Sequence, residues 1–210
     1  MNEQQLNRRD FLLGATAVAA GLALGADFAH AAENAGAVGE IVKLPAPDDM
    51  GGKSLRECLD KRRAEREISA EELDLQTMGN LFWAAWGVNR EDGRRTTPTA
   101  KNQLYHTVFA VRGDGVWEYL PKEHAMKRVL AGDQRGRFDG SGCIMLFAGP
   151  TEDRFSQLSA GAMTQNVGLY CAAAGLANCV KATGRETLNA ELPLPEGWSC
   201  LIIQSVGKRK

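Results

Sequence analysis

The chain has 210 residues, 44% of them hydrophobic and 24% charged, with a formal net charge of −1. That length fits one domain of ordinary size and leaves little room for a second. The near-neutral balance argues against a nucleic-acid partner, which needs a concentrated excess of Lys and Arg, but allows one phosphorylated small ligand held by a local basic cluster.

The first stretch reads as an address. Asn7-Arg8-Arg9-Asp10-Phe11-Leu12-Leu13 precedes a run of small and apolar residues over 14–26, and Ala29-His30-Ala31 supplies the small side chains that a signal peptidase accepts. The run is too short and too rich in Gly and Ala for a membrane span, though an amphipathic or anchoring helix is the competing reading. The paired arginines followed by Phe-Leu resemble the twin-arginine export signal, with Asn7 where a Ser is usual. That route carries folded proteins, so the resemblance implies a cofactor bound tightly before export, cleavage near Ala31 and a periplasmic destination. The expected layout is a signal over residues 1–31, a flexible lead-in rich in Gly, Ala, Pro and Asp over 32–52, and one domain over 53–210.

Within that domain, residues 54–63 read as a helix with Leu55, Cys58 and Leu59 on one buried face, opened by a Ser54/Glu57 capping box. A second helix is expected from Ser69, again with a Glu three residues on, and Met78, Phe82, Ala85 and Trp86 share its face until Gly87. Residues 104–112 and 116–120, joined by Gly113-Asp114-Gly115, read as a β-hairpin. A short helix over 122–131, a buried strand over 143–149, a helix over 160–174 and a closing central strand over 199–206 follow. The face of that last helix carries Met163, Val167, Tyr170, Cys171 and Ala174. Because the first strand connection is a hairpin, the expected fold is α+β, an antiparallel-rich mixed sheet wrapped by helices.

Five widely spaced cysteines form no CxxC pair, so no metal site is expected and they read mainly as small buried hydrophobes. No Ser-His-Asp, Cys-His or paired-carboxylate arrangement stands out; His106 and His124 read as structural, and no catalytic side chain is named. Three stretches hold the chemistry. In Lys61-Arg62-Arg63-Ala64-Glu65-Arg66, three guanidinium forks beside a small residue suit a phosphate dianion. The competing reading is a solvated face with Glu65 and Glu67 as counter-charges. In the segment 93–103, Pro98 fixes the backbone, small Thr99 and Ala100 let a planar ring approach, and Asn102 offers both donor and acceptor; an ordinary polar loop is the alternative. The third stretch, a Gly- and Ala-rich helix over 163–176 followed by Val180-Lys181-Ala182-Thr183-Gly184, suits close helix contact at a dimer core.

Taken together and in this order, the three stretches resemble the nitroreductase family, in its branch similar to SagB-type dehydrogenases. Arg62-Arg63-Ala64-Glu65-Arg66 is similar to that family's R-R-S-x-R phosphate motif, and Pro98-Thr99-Ala100-Lys101-Asn102 to its flavin-lining P-S-(A/S)-x-N segment. The likeness extends through Leu81-Phe82-Trp83-Ala84-Ala85-Trp86-Gly87-Val88-Asn89-Arg90, Arg95-Thr96-Thr97-Pro98, Gln165-Asn166 and Gly175-Leu176. The resemblance implies a homodimer with two FMN sites at the subunit interface and a small-molecule substrate such as a nitro compound or quinone. It also implies a backbone N–H near Thr183 and Gly184 beside the flavin N5, and a phosphate site completed by Lys208 or Arg209. Because NAD(P)H is confined to the cytoplasm, export implies a protein or quinol electron donor. A flavin-binding redox partner without small-molecule turnover, and a cofactor-free binding module, are the competing functions.

Overall fold

The computed structural model describes residues 37–210; the expected export signal lies outside the described residues. Seven strands form one sheet: β1 Ile41–Lys43, β2 Thr107–Arg112, β3 Gly115–Leu120, β4 Ala125–Ala131, β5 Cys143–Pro150, β6 Ala177–Lys181 and β7 Trp198–Gly207. Their spatial order is β1-β4-β3-β2-β5-β7-β6, and every pairing is antiparallel. Three helices, α1 Leu55–Lys61, α2 Leu75–Trp86 and α3 Arg154–Ala174, accompany it. The α+β expectation holds. None of the helices among the described residues is long and apolar enough to cross a membrane.

The hydrophobic residues sort onto the two faces of the sheet as a period of two demands. Val108, Ala110, Met145, Phe147 and Val206 join Met78, Phe82, Trp86, Met163 and Val167 of α2 and α3 in the main core. On the opposite face Phe109, Val111, Ile144, Leu146 and Ile203 pack against Leu188 and Leu192 of the segment between β6 and β7. Each fully buried large side chain contributes about 1.5–3 kcal/mol, so burial on both faces dominates stability.

Local signals place the start of α1, but of its expected buried face only Cys58 is buried, while Leu55 and Leu59 are exposed. Ser54 accepts from the Glu57 N–H while the Glu57 carboxylate accepts from the Ser54 N–H, the expected capping box. The hairpin forms as read, with Arg112 opposite Gly115. The final strand is interior, between β5 and β6. All five cysteines are buried and free.

Four expectations are corrected. Helix α2 starts at Leu75, capped by Asp74, which accepts from the Thr77 N–H at 2.7 Å. Ser69 instead accepts from the Glu71 N–H in a local turn, and its own N–H goes to the Lys208 carbonyl at 2.9 Å. Residues 125–131 form a strand rather than a helix. Met126 and Arg128 are buried either side of exposed Lys127, and pairing with β1 and β3 outweighs the local helix preference. The stretch read as a flexible lead-in contributes β1, and Leu44 is buried in the core. Helix α3 begins at Arg154, six residues before the expected start, and Ala174 on its expected apolar face is exposed.

Candidate functional site

The arginine stretch begins where α1 ends. The Arg62 N–H closes the last turn on the Cys58 carbonyl, and the Arg62 backbone then turns extended. The Glu65 N–H donates to the Asn178 carbonyl at 2.7 Å, which lays this segment along the outer edge of β6. The Glu65 carboxylate accepts from Arg209 Nε at 2.8 Å and Nη2 at 3.0 Å, and Arg209 also donates to the Gly175 carbonyl at 2.6 Å. The Arg209 hydrogen bond holds the Glu65 carboxyl below its ordinary range. Glu65 therefore spends its hydrogen bonds on Arg209, with Arg63 acting on it only through its charge. No carboxylate among the described residues ion-pairs with Arg62, Arg63 or Arg66, and all three are exposed, as is Ala64. The stem of Arg62 lies over Gly168 of α3, where a Cβ would stand 3.4 Å from the Arg62 Cγ. This glycine leaves room for an arginine.

The second stretch closes the C-terminal end of α2. Helix ends leave their last carbonyls without intrahelical partners. Thr96 Oγ1 donates to Trp83 O and Ala84 O, Thr97 Oγ1 to Ala85 O at 2.8 Å, and Asn166 Nδ2 to Ala84 O and Thr97 Oγ1 at 3.1 Å each. Ser159 Oγ donates to the Pro98 carbonyl at 3.2 Å. Beyond this lock the chain turns through Lys101 and Asn102, whose φ values of 53° and 55° lie in the left-handed region that Asn tolerates better than most residues. Thr99 and Ala100 are half-buried, while Pro98 and Asn102 are exposed. Pro98, Thr99 and Asn102 line a cleft of about 360 Å³ together with Arg90, Arg94, Arg95, Thr97 and Leu104.

The third stretch leaves β6. Thr183 and Gly184 line a separate cleft of about 250 Å³ with Arg137, Phe138, Asp139, Lys181, Ile203 and Ser205. Gly184 takes a left-handed φ of 78°. Among the described residues neither the Thr183 nor the Gly184 N–H has a partner, so both donors are available. Asp139 accepts from Ser205 Oγ at 2.7 Å and from the Ser141 N–H at 3.2 Å, and is paired with Lys181. Burial pushes the Asp139 carboxyl up, but the hydrogen bonds of Lys181, Ser205 and Ser141 outweigh it and bring it down to about 2.

Helix α3 thus touches the first stretch through Gly168 and the second through Asn166, while Arg62, Arg63 and Arg66 line neither of the two clefts. The Lys208 ammonium is paired with Glu71, whereas Arg209 reaches Glu65 inside the arginine stretch. His106 bonds Ser156, and burial lowers its pKa; His124 is fixed by Tyr119 Oη and the Pro45 carbonyl, each at 2.8 Å. Burial pushes the Cys143 and Cys200 thiols up to about 12, which makes them poor nucleophiles. Sequence reasoning missed the Asp139–Lys181–Ser205 cluster, because its members lie on three different elements without spacing to mark them. The arginines of the second stretch were visible as a basic dipeptide, yet only the structure shows them lining a cleft.

The pattern of the nitroreductase family matches residues 59–208. The chain belongs to the nitroreductase family. A Ralstonia eutropha JMP134 protein assigned as a nitroreductase has 30% identity and a TM-score of 0.74, covering 81% of this chain and 90% of its own. A Methanocaldococcus jannaschii protein with the same assignment is 33% identical over 99 residues, 44% of this chain and 50% of that relative, so this chain matches about half of its length. A Bacteroides fragilis nitroreductase with bound FMN shares the fold, with a TM-score of 0.55 at 12% identity over 75% of this chain and 89% of its own. Residues 5–25 match the twin-arginine translocation signal, which marks this member of the family for export.

Proposed function

We propose that this nitroreductase-family chain is an exported FMN-dependent oxidoreductase that moves hydride between reduced flavin and a small acceptor such as a nitro compound or quinone. The observation that carries the reading is the unpaired guanidinium trio Arg62, Arg63 and Arg66, left free because Arg209 holds the one intervening acid, Glu65. Three arginines without an ion-pair partner among the described residues, one of them laid over Gly168, fit a phosphate monoester dianion, which accepts planar, bidentate, charge-assisted bonds.

In this reading Arg62, Arg63 and Arg66 grip the flavin phosphate, with the Ala64 N–H beside them. Pro98, Thr99, Ala100 and Asn102 line the ring, and the free N–H groups of Thr183 and Gly184 offer a donor to the flavin N5. The bound flavin supplies the two-electron chemistry; the protein orients it and excludes water. The arginine trio lines neither of the two clefts that hold the second and third stretches in one chain. This supports a site completed by a second copy, hence a homodimer. Lys208, which pairs with Glu71 on the exposed surface, completes the phosphate site on release from that pair, and Arg209 acts by restraining Glu65.

Export to the periplasm after cleavage near Ala31 removes the protein from NAD(P)H, so its electrons come from a protein or quinol donor. The test is the absorption spectrum of protein purified from a periplasmic extract. A flavin spectrum that survives purification is the expected result, and colourless protein that stays colourless after incubation with FMN would falsify the proposal. Turnover of a nitro compound or quinone by the photoreduced protein separates an enzyme from a redox partner without small-molecule turnover.

A further inference from the structure

The cleft that the proposed function gives to the flavin ring contains a charge that nothing in the chain answers. Arg95 lines it beside Pro98, Thr99 and Asn102, with only 7% of its surface exposed. Among the described residues its guanidinium makes one hydrogen bond, from Nη1 to the Gly93 carbonyl at 3.0 Å, and the buried Nε has no partner. The centre of the Trp86 ring lies 5.5 Å away. Arg90 donates to the Arg95 carbonyl at 3.1 Å and so fixes the backbone that presents Arg95. Burial lowers the Arg95 pKa from its ordinary value, but a guanidinium keeps its proton in a protein. A buried cation without a counter-charge bears a desolvation cost that an aromatic face offsets only in part.

No neighbour supplies the missing anion. No carboxylate among the described residues ion-pairs with Arg95; Asp92 of the same loop takes Arg94 Nε at 3.1 Å on the exposed rim. Arg90 and Arg94, which share the cleft, are themselves cations. Tyr119 of β3 is the ionisable group whose charge would favour that of Arg95, but burial pushes its phenol up and keeps it neutral. His106, edge-on to Trp86 at 5.2 Å, is likewise shifted towards its neutral form by burial.

Reduction of a bound flavin creates such an anion. When two electrons from the protein or quinol donor and one proton enter as hydride at N5, one negative charge is left on the N1–C2 carbonyl edge, on the far side of the ring system from N5. A fixed charge beside that edge tunes the cofactor's electronics. The free N–H groups assigned to N5, those of Thr183 and Gly184, line a separate cleft, which leaves the opposite edge of the ring for this one. From this juxtaposition we infer that Arg95 is the group that answers the charge of the reduced ring, so that the site binds reduced flavin more tightly than oxidised flavin. The inference rests on the preceding reading, in which Pro98–Asn102 lines the ring, and it names the residue that sets the cofactor's potential there.

The test uses full-length, flavin-loaded protein, reduced stepwise with dithionite against reference dyes, and reads the two-electron potential at pH 6 and pH 7. In the wild-type chain the potential is expected to fall by about 30 mV over that interval, because one proton accompanies two electrons when the charge stays on the ring. In Arg95→Gln, reduced flavin is expected to bind about tenfold less tightly relative to oxidised flavin, which lowers the potential at pH 7 by about 30 mV. The fall per pH unit should then approach about 60 mV, as a second proton neutralises the ring. Arg95→Lys retains a charge and should retain the shallow slope. Arg94→Gln removes a charge that Asp92 already answers and should keep both potential and slope. A wild-type slope of about 60 mV overturns the inference by itself, even where Arg95→Gln does not fold. So does an Arg95→Gln protein that keeps its flavin together with the wild-type potential and slope, and so does an equal shift in Arg94→Gln. In each of those outcomes flavin is bound and the proposed function stands. Protein that retains no flavin overturns both.

Discussion

Two arginine-rich stretches of this chain, residues 62–66 and residues 90–95, have similar composition but are treated differently by the fold. In the first, a distant residue removes the local counter-charge: Arg209 takes Glu65 from 144 positions away, and three guanidinium groups are left facing solvent. In the second, the arginines are spent on the loop itself. Arg90 donates to the Arg95 carbonyl and Arg94 pairs with Asp92, while Arg95 is buried over Trp86 with one nitrogen unsatisfied. A count of arginines does not distinguish the two; which acids remain available does. An exposed, unpaired cluster suits a strongly charged phosphate, whereas a buried guanidinium rewards a ligand that is itself partly apolar.

The largest effect should come from breaking the first cluster. Replacing Arg62 and Arg66 together by Ala removes at least two charge-assisted hydrogen bonds, worth roughly 1.5–3 kcal/mol each. FMN affinity is expected to fall by about 10²- to 10⁴-fold, read as lost flavin absorbance after dialysis. An unchanged flavin content would show that the phosphate sits elsewhere, and the contrast between the two stretches would lose its meaning.

Arg209→Ala tests how the cluster stays free. Once released, the Glu65 carboxylate can turn towards Arg62 or Arg66 and compete with phosphate. The ion pair is partly exposed, so its contribution to stability is about 0–1 kcal/mol. Flavin affinity is expected to fall by about tenfold, roughly 1.4 kcal/mol, with little change in melting temperature. Adding Glu65→Gln to Arg209→Ala should restore most of the affinity. Failure of that rescue would mean that Arg209 touches the cofactor directly.

Which parts of this were legible in the sequence follows from the range of the interactions. The α1 capping box and the Gly113–Gly115 hairpin rest on contacts within a few residues, and the strand at Cys143 shows as an unbroken apolar run although its partners β2 and β7 are distant. The segment 125–131 has helix-forming residues but strand neighbours on both sides, so its conformation is decided by the preceding strand β3 and by β1, far away in the chain. Ser69 and Glu72 mimic a cap, yet Glu72 accepts from the Gly113 N–H and pairs with Arg135. The site shows the same division. The arginine motif and the Pro98 segment stand out as strings. The diversion of Glu65 by Arg209 and the Asn166 lock on Thr97 belong to tertiary structure and leave no local trace.

The second stretch depends on threonine side chains that satisfy the end of α2, and Thr97→Val removes one of them without changing shape. Thr97 is 2% exposed; it donates to Ala85 O and accepts from Asn166, so the valine leaves the buried Ala85 carbonyl without this partner and removes one bond from half-buried Asn166. The cost is about 1–3 kcal/mol, and at about 2–4 °C per kcal/mol for a domain of this size the melting temperature should fall by about 2–12 °C. A matching change at Thr99, which holds no such bond, should cost less. Equal losses at both positions would mean that the loop is held by its backbone alone.

Asp139 offers the finest discrimination, because its charge is neither free like the first cluster nor buried alone like Arg95. It is buried in part and answered by Lys181, Ser205 and the Ser141 N–H, and its carboxyl is brought from 3.8 to about 2. Between those values the unfolded chain takes up a proton that the native chain refuses. Stability from this group is therefore fully present above pH about 4 and is lost as pH falls through about 2. Asp139→Asn has no such proton to take up. Denaturant midpoints measured from pH 5 down to pH 2 should fall more steeply for the wild-type chain than for Asp139→Asn. Parallel curves would mean that Lys181 pairs with Asp139 without favouring its ionised form, and the cleft beside Thr183 and Gly184 would then lack a fixed charge.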